Sequence, residues 1–122
     1  MPCILYLIRR VRELSMKTDL HTCNEPLPLF SLWLEEATAH PEIKEPTAMS
    51  LATVGRGGAP SVRIVLLKDY NAEGFVFYTN LESRKSTEIR ATESAALCFY
   101  WMPQDRQVRV VGRVEVIDPA AA

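Results

Sequence analysis

Arg106-Gln107-Val108-Arg109-Val110-Val111-Gly112-Arg113-Val114-Glu115-Val116-Ile117 decides the fold class. Val108, Val110, Gly112, Val114 and Val116 fall on one face, and Arg109, Val111, Arg113, Glu115 and Ile117 on the other. That is the period-two pattern of a strand with one buried side. A strand this long, with a glycine near its middle, has to bend as barrel strands do.

Working back from it, Pro103-Gln104-Asp105 reads as a turn and the apolar run Ala95 to Trp101 as the preceding strand. Ser83 is placed to cap a short helix through Ile89 or Arg90, because a hydroxyl there accepts a first-turn amide. Phe75 to Thr79 is a strand joined through Asn71-Ala72-Glu73-Gly74 to a long strand from Pro60 to about Tyr70. Gly55-Arg56-Gly57-Gly58 turns that strand back from another beginning at Ala48. Before the sheet, Leu29, Phe30, Trp33, Leu34 and Ala37 recur at helical spacing with Glu35 and Glu36 opposite, and His40-Pro41 stops the helix. The expected architecture is a mainly β, antiparallel barrel of five strands, preceded by one helix and interrupted by another. Five strands are few for closure, and an open edge must be covered.

A chain of 122 residues forms one domain with one core. The expected organisation is a leader over residues 1–18, helical or poorly ordered, followed by a barrel domain over 19–122 that lacks its carboxy-terminal part. The formal net charge of −1 gives no global field to recruit nucleic acid or anionic lipid. The apolar run Cys3 to Ile8 is too short to span a bilayer, and its positive charges follow it, the reverse of a secretory signal. Three cysteines without C-x-x-C spacing favour a reducing, cytoplasmic setting over a disulfide framework, and Cys98 reads as a buried thiol. His21 and His40 stand far from any cysteine, so no metal site is expected.

Cationic and amide side chains stand where strands begin and end. Arg63 and Lys68 bracket Ile64-Val65-Leu66-Leu67, Tyr78-Thr79-Asn80 closes the next apolar run, and Ser83-Arg84-Lys85 follows. Arg84 and Lys85 in the first turn of a helix would reinforce an anion site already favoured by its free amides. Arg63 and Lys68 are an odd number of residues apart, so a regular strand points them to opposite faces. Gln107 offers a donor and an acceptor, which suits the edge of a heteroaromatic ring. Taken singly, cations at strand ends are more often solvated rim residues, and the aromatics are more often core.

As an ordered set, Glu45-Pro46-Thr47-Ala48-Met49, Arg63 to Lys68, Phe75 to Asn80, Ser83-Arg84-Lys85 and Arg106 to Val110 resemble the pyridoxamine 5′-phosphate oxidase family. The resemblance implies an FMN-binding split barrel that forms a homodimer with the cofactor at its interface. It implies FMN contacts at Arg63, Ile64, Val65, Leu66, Leu67, Lys68, Tyr78, Thr79, Arg84, Lys85 and Gln107, with Lys68 also at the substrate phosphate. It names no side chain as catalytic. The implied reaction passes a hydride from pyridoxamine or pyridoxine 5′-phosphate to FMN, with O2 as final acceptor, and yields pyridoxal 5′-phosphate. The family's later Tyr…Arg…Ser series, Gln-Ser pair, Trp and Arg-x-His segment are not among these residues, so full activity is expected of a longer product. Two other readings fit less of the sequence: a small flavin or deazaflavin reductase, and a non-catalytic module. The module would either bind flavin alone or bind single-stranded nucleic acid through Arg56, Arg63, Arg109 and exposed aromatics.

Overall fold

The structure is a computed structural model describing the backbone of residues 3–17, 26–80 and 94–117, with side chains over 27–78 and 94–115. Six strands make up the sheet: β1 (Cys3–Lys17), β2 (Ala48–Val54), β3 (Pro60–Asn71), β4 (Gly74–Asn80), β5 (Ser94–Trp101) and β6 (Arg106–Ile117). One helix, α1 (Pro26–Ala39), precedes β2. All neighbours pair antiparallel in the closed order β1-β4-β3-β2-β5-β6.

Alternation along each strand builds the core. Met49, Leu51 and Thr53 of β2 point inward with Val65 and Leu67 of β3, and Phe75 and Phe77 of β4 join them. Ala95, Leu97, Phe99 and Trp101 of β5 and Val108, Val110 and Val114 of β6 complete the interior. Gly112 is buried on the same face of β6. The turn before β6 is a short 3-10 segment, Met102–Gln104, ended by Asp105 in the left-handed region at φ 52°.

Pro26 and Pro28 sit in the first turn of α1, where proline's missing N–H costs nothing. Phe30, Trp33 and Ala37 form its buried stripe. The Phe30 ring meets Tyr70 at 4.9 Å, Phe99 at 5.3 Å and Phe75 at 5.4 Å, so the helix stoppers one end of the barrel. Trp101 Nε1 donates to the Pro46 carbonyl at 3.0 Å, tying the connection after α1 to the same end.

The amino-terminal segment corrects one expectation. Neither helical nor irregular, it is β1, and it fills the sixth position by pairing with β4 over Cys3–Ile8 and with β6 as far as Lys17. Strands β2 to β6 alone are the curled, open sheet that the sequence predicts. Their two outer edges carry unsatisfied N–H and C=O groups, and an apolar run able to extend can satisfy both. The expected helix after Ser83 lies outside the described residues.

Candidate functional site

The outer surface of the barrel is unusually apolar. Val62 and Ile64 of β3 are 66% and 65% exposed, Leu66 is half exposed, and Tyr78 and Tyr100 stand out beside them. Register brings these into rows: Ile64, Ser50, Cys98 and Arg109 across four strands, and Val62, Ala52, Ala96 and Val111 beside them. Leu66 pairs with Ala48 and Tyr100 with Gln107 at the next level. Ser50, Arg109 and Gln107 interrupt these rows, so the apolar part of the face is the strip Val62, Ile64 and Leu66, and an exposed strip of this kind on a small domain marks a binding surface.

Lys68 lies at the edge of that face. Its Nζ stands 5.2 Å from the centre of the Tyr78 ring, a cation–π arrangement that holds an exposed charge beside an exposed aromatic. The β3–β4 register shifts between Leu67 and Asp69, so Lys68 and Asp69 both face outward and Tyr70 returns to the core side. A bulge of this sort re-aims side chains at functional rims.

Arg63 faces the other way, as its odd separation from Lys68 requires. Its Nη1 donates to the Leu51 carbonyl at 3.0 Å and to Thr53 Oγ1 at 2.8 Å, and Nη2 donates to Ser61 Oγ at 2.7 Å. Thr53 is completely buried, so the guanidinium satisfies a core hydroxyl at the end of the barrel away from α1. Five residues of strand put Arg63 and Lys68 roughly 16 Å apart along β3. They cannot grip one phosphate together.

The remaining sequence-predicted residues divide by face. Ile64 and Leu66 are exposed beside Lys68, whereas Val65 and Leu67 point into the core and offer a ligand only main-chain atoms. Gln107 lies on β6, separated from β3 by β2 and β5. It therefore approaches the apolar face from the opposite side to Lys68 and Tyr78. Arg84, Lys85 and the Thr79 side chain lie outside the described residues. Phe75, Phe77, Phe99 and Trp101 are interior, so among the described residues the exposed aromatic surface that a single-stranded nucleic acid needs is reduced to Tyr78 and Tyr100.

Cys98 corrects a second expectation. It is only partly buried, because strand parity puts it on the outer face between Ser50 and Arg109. Burial nevertheless raises its thiol pKa above the ordinary value, with the Arg109 charge acting in the opposite direction.

Sequence reasoning missed the supporting contacts. Tyr100 stands opposite Gln107, which the short turn between β5 and β6 would have revealed by register counting. Arg106 serves α1 rather than a ligand: its Nη1 is 2.9 Å from Glu36 Oε1 and its guanidinium lies 4.8 Å over Trp33. Gln104 Oε1 is buried without a hydrogen-bond partner among the described residues.

A closed antiparallel barrel, stoppered by one helix and carrying an apolar outer face edged by Lys68, defines a protein of the split-barrel class. The comparison with known proteins makes this particular. The family model described as pyridoxamine 5′-phosphate oxidase matches residues 35–122, and the chain belongs to that family. A pyridoxine/pyridoxamine 5′-phosphate oxidase of Allorhizobium ampelinum is 54% identical over 105 residues, covering 86% of this chain and 49% of the relative. One from Erythrobacter litoralis is 51% identical over 114 residues, covering 90% and 53%. The chain thus spans about half the length of the curated relatives it matches. Among solved structures, PhzG from Burkholderia lata 383, in complex with tetrahydrophenazine-1-carboxylic acid, superposes with a TM-score of 0.75 at 26% identity. That likeness covers 85% of this chain and 54% of PhzG.

Proposed function

We propose that this chain is the FMN-binding portion of a pyridoxamine 5′-phosphate oxidase-like flavoprotein, acting as a homodimer whose cofactor lies on the apolar outer face. The observation that carries the reading is the Lys68–Tyr78 pair at the edge of the exposed strip Val62, Ile64 and Leu66. A planar ring system with an anionic tail matches that chemistry: the strip and Tyr78 offer apolar contact, and Lys68 offers an unburied positive charge.

Gln107 suits the polar edge of the ring, since its amide both donates and accepts. One chain places Gln107 three strands from Lys68, so a cofactor enclosed from both sides draws on two copies of the face. Sequence places Arg84 and Lys85 just after β4, where they would meet the cofactor phosphate. Arg63, held by Thr53 and Ser61, would reach that phosphate only by exchanging those neutral acceptors for it.

Bound FMN would supply the two-electron chemistry, taking a hydride from the carbon that bears the substrate amine or alcohol and passing the electrons to O2. The chain's own part is positioning. Lys68 neutralises the substrate phosphate, and the apolar face keeps water from the stacked rings. Pyridoxamine or pyridoxine 5′-phosphate is the proposed substrate, and a cytoplasmic location follows from that role. The described residues include no helix long and apolar enough to cross a membrane.

Flavin fluorescence tests the reading. Titrating FMN with the chain is expected to give saturable quenching, weakened roughly tenfold by Lys68→Ala, the loss of one charge-assisted contact. Fluorescence unchanged by excess chain would refute it.

A further inference from the structure

Of the two exposed tyrosines on the outer face, Tyr78 is engaged by Lys68, whereas Tyr100 has no such companion. Tyr100 is 60% exposed, and among the described residues its ring meets no other ring or cation. Its own strand gives it nothing to lean on. The outward residues of β5 before it, Ser94, Ala96 and Cys98, are all small. A large ring standing clear in this way keeps apolar faces in water, and a planar partner would cover them.

Register adds a second observation. Tyr100 lies directly opposite Gln107 across the β5–β6 ladder, and side chains so paired have their Cβ atoms roughly 5 Å apart. Gln107 is partly buried, and its amide makes no hydrogen bond among the described residues. An open aromatic face therefore adjoins an open donor and acceptor. A flat heteroaromatic ligand offers the complement of both, a π face for the phenol ring and a polar edge for the amide.

We infer that Tyr100 is a further cofactor-contact residue, packing its ring against the face of the ring system whose edge Gln107 bonds. The inference rests on the reading of this outer surface as a flavin site, and it adds a residue that the family resemblance does not imply. The contact is made by the ring rather than the hydroxyl, so phenylalanine replaces tyrosine in binding and alanine does not.

Equilibrium dialysis of FMN against the full chain compares wild type, Tyr100→Phe and Tyr100→Ala. Tyr100→Phe is expected to bind within about twofold of wild type and Tyr100→Ala roughly tenfold more weakly, the loss of one aromatic stack. Fluorescence separates contact from mere support. A phenol touching an excited flavin quenches it by donating an electron, and a phenyl ring does not. In a Tyr78→Phe background, which removes the other exposed phenol, adding Tyr100→Phe is therefore expected to brighten the fully bound flavin. Failure of the wild-type chain to bind FMN would overturn the flavin reading and this inference with it. Saturable wild-type binding, combined with equally tight binding by Tyr100→Ala or with no brightening, would overturn this inference alone.

Discussion

Arg106 holds α1 against the barrel by two contacts that differ in kind. The ion pair with Glu36 is half exposed and solvent-screened, so it contributes less than about 1 kcal/mol. Stacking over buried Trp33 adds about as much again, because the ring excludes water from one side of the guanidinium. Arg106→Ala is therefore expected to lower stability by about 1–2 kcal/mol in urea unfolding, and Glu36→Gln by clearly less. Equal losses would show that the ion pair alone matters. At this scale the sequence was informative about direction but not about partners. The opposite facing of Arg63 and Lys68 follows from counting residues, and the structure agrees. That Arg63 would turn back onto Thr53 and Ser61 was not legible, because those hydroxyls become its neighbours only when β2 and β3 pair.

Among the elements, β2 to β6 and α1 are legible because each carries a clean period, two for the strands and three to four for the helix. Strand β1 was not. Its apolar run Cys3 to Ile8 is short and shows no alternation, and only the two waiting edges of β4 and β6 give it a reason to extend. The β2–β3 turn was read correctly from its glycines, and they are not equivalent. Gly58 has a φ of +84°, while Gly57 has no such constraint, and a methyl group would meet nothing within 4 Å at either. Conformation alone separates them. Gly58→Ala is expected to cost about 1–2 kcal/mol, and Gly57→Ala to be close to neutral. Thermal unfolding of the two variants side by side measures the difference, and equal midpoints would contradict it.

For the whole molecule, the decisive feature is the outer face that the barrel leaves uncovered. A monomer gains nothing from exposing Val62, Ile64 and Leu66 together, whereas a second copy seated on that face, as proposed, would bury them. Ile64→Glu leaves the interior untouched and is expected to change the stability of the fold by no more than about 0.5 kcal/mol. The same substitution is expected to shift the chain from dimer to monomer in sedimentation velocity. A wild-type chain that is already monomeric would refute the dimer, and a variant that remains dimeric would move the interface elsewhere.

The proposal that this surface recognises a phosphorylated flavin is tested most directly by calorimetric titration of FMN beside riboflavin, which share a ring system and differ in the phosphate. Charge-assisted hydrogen bonds contribute about 1.5–3 kcal/mol each, so FMN is expected to bind at least about tenfold more tightly. Equal affinities, or no heat from either ligand, would contradict the assignment.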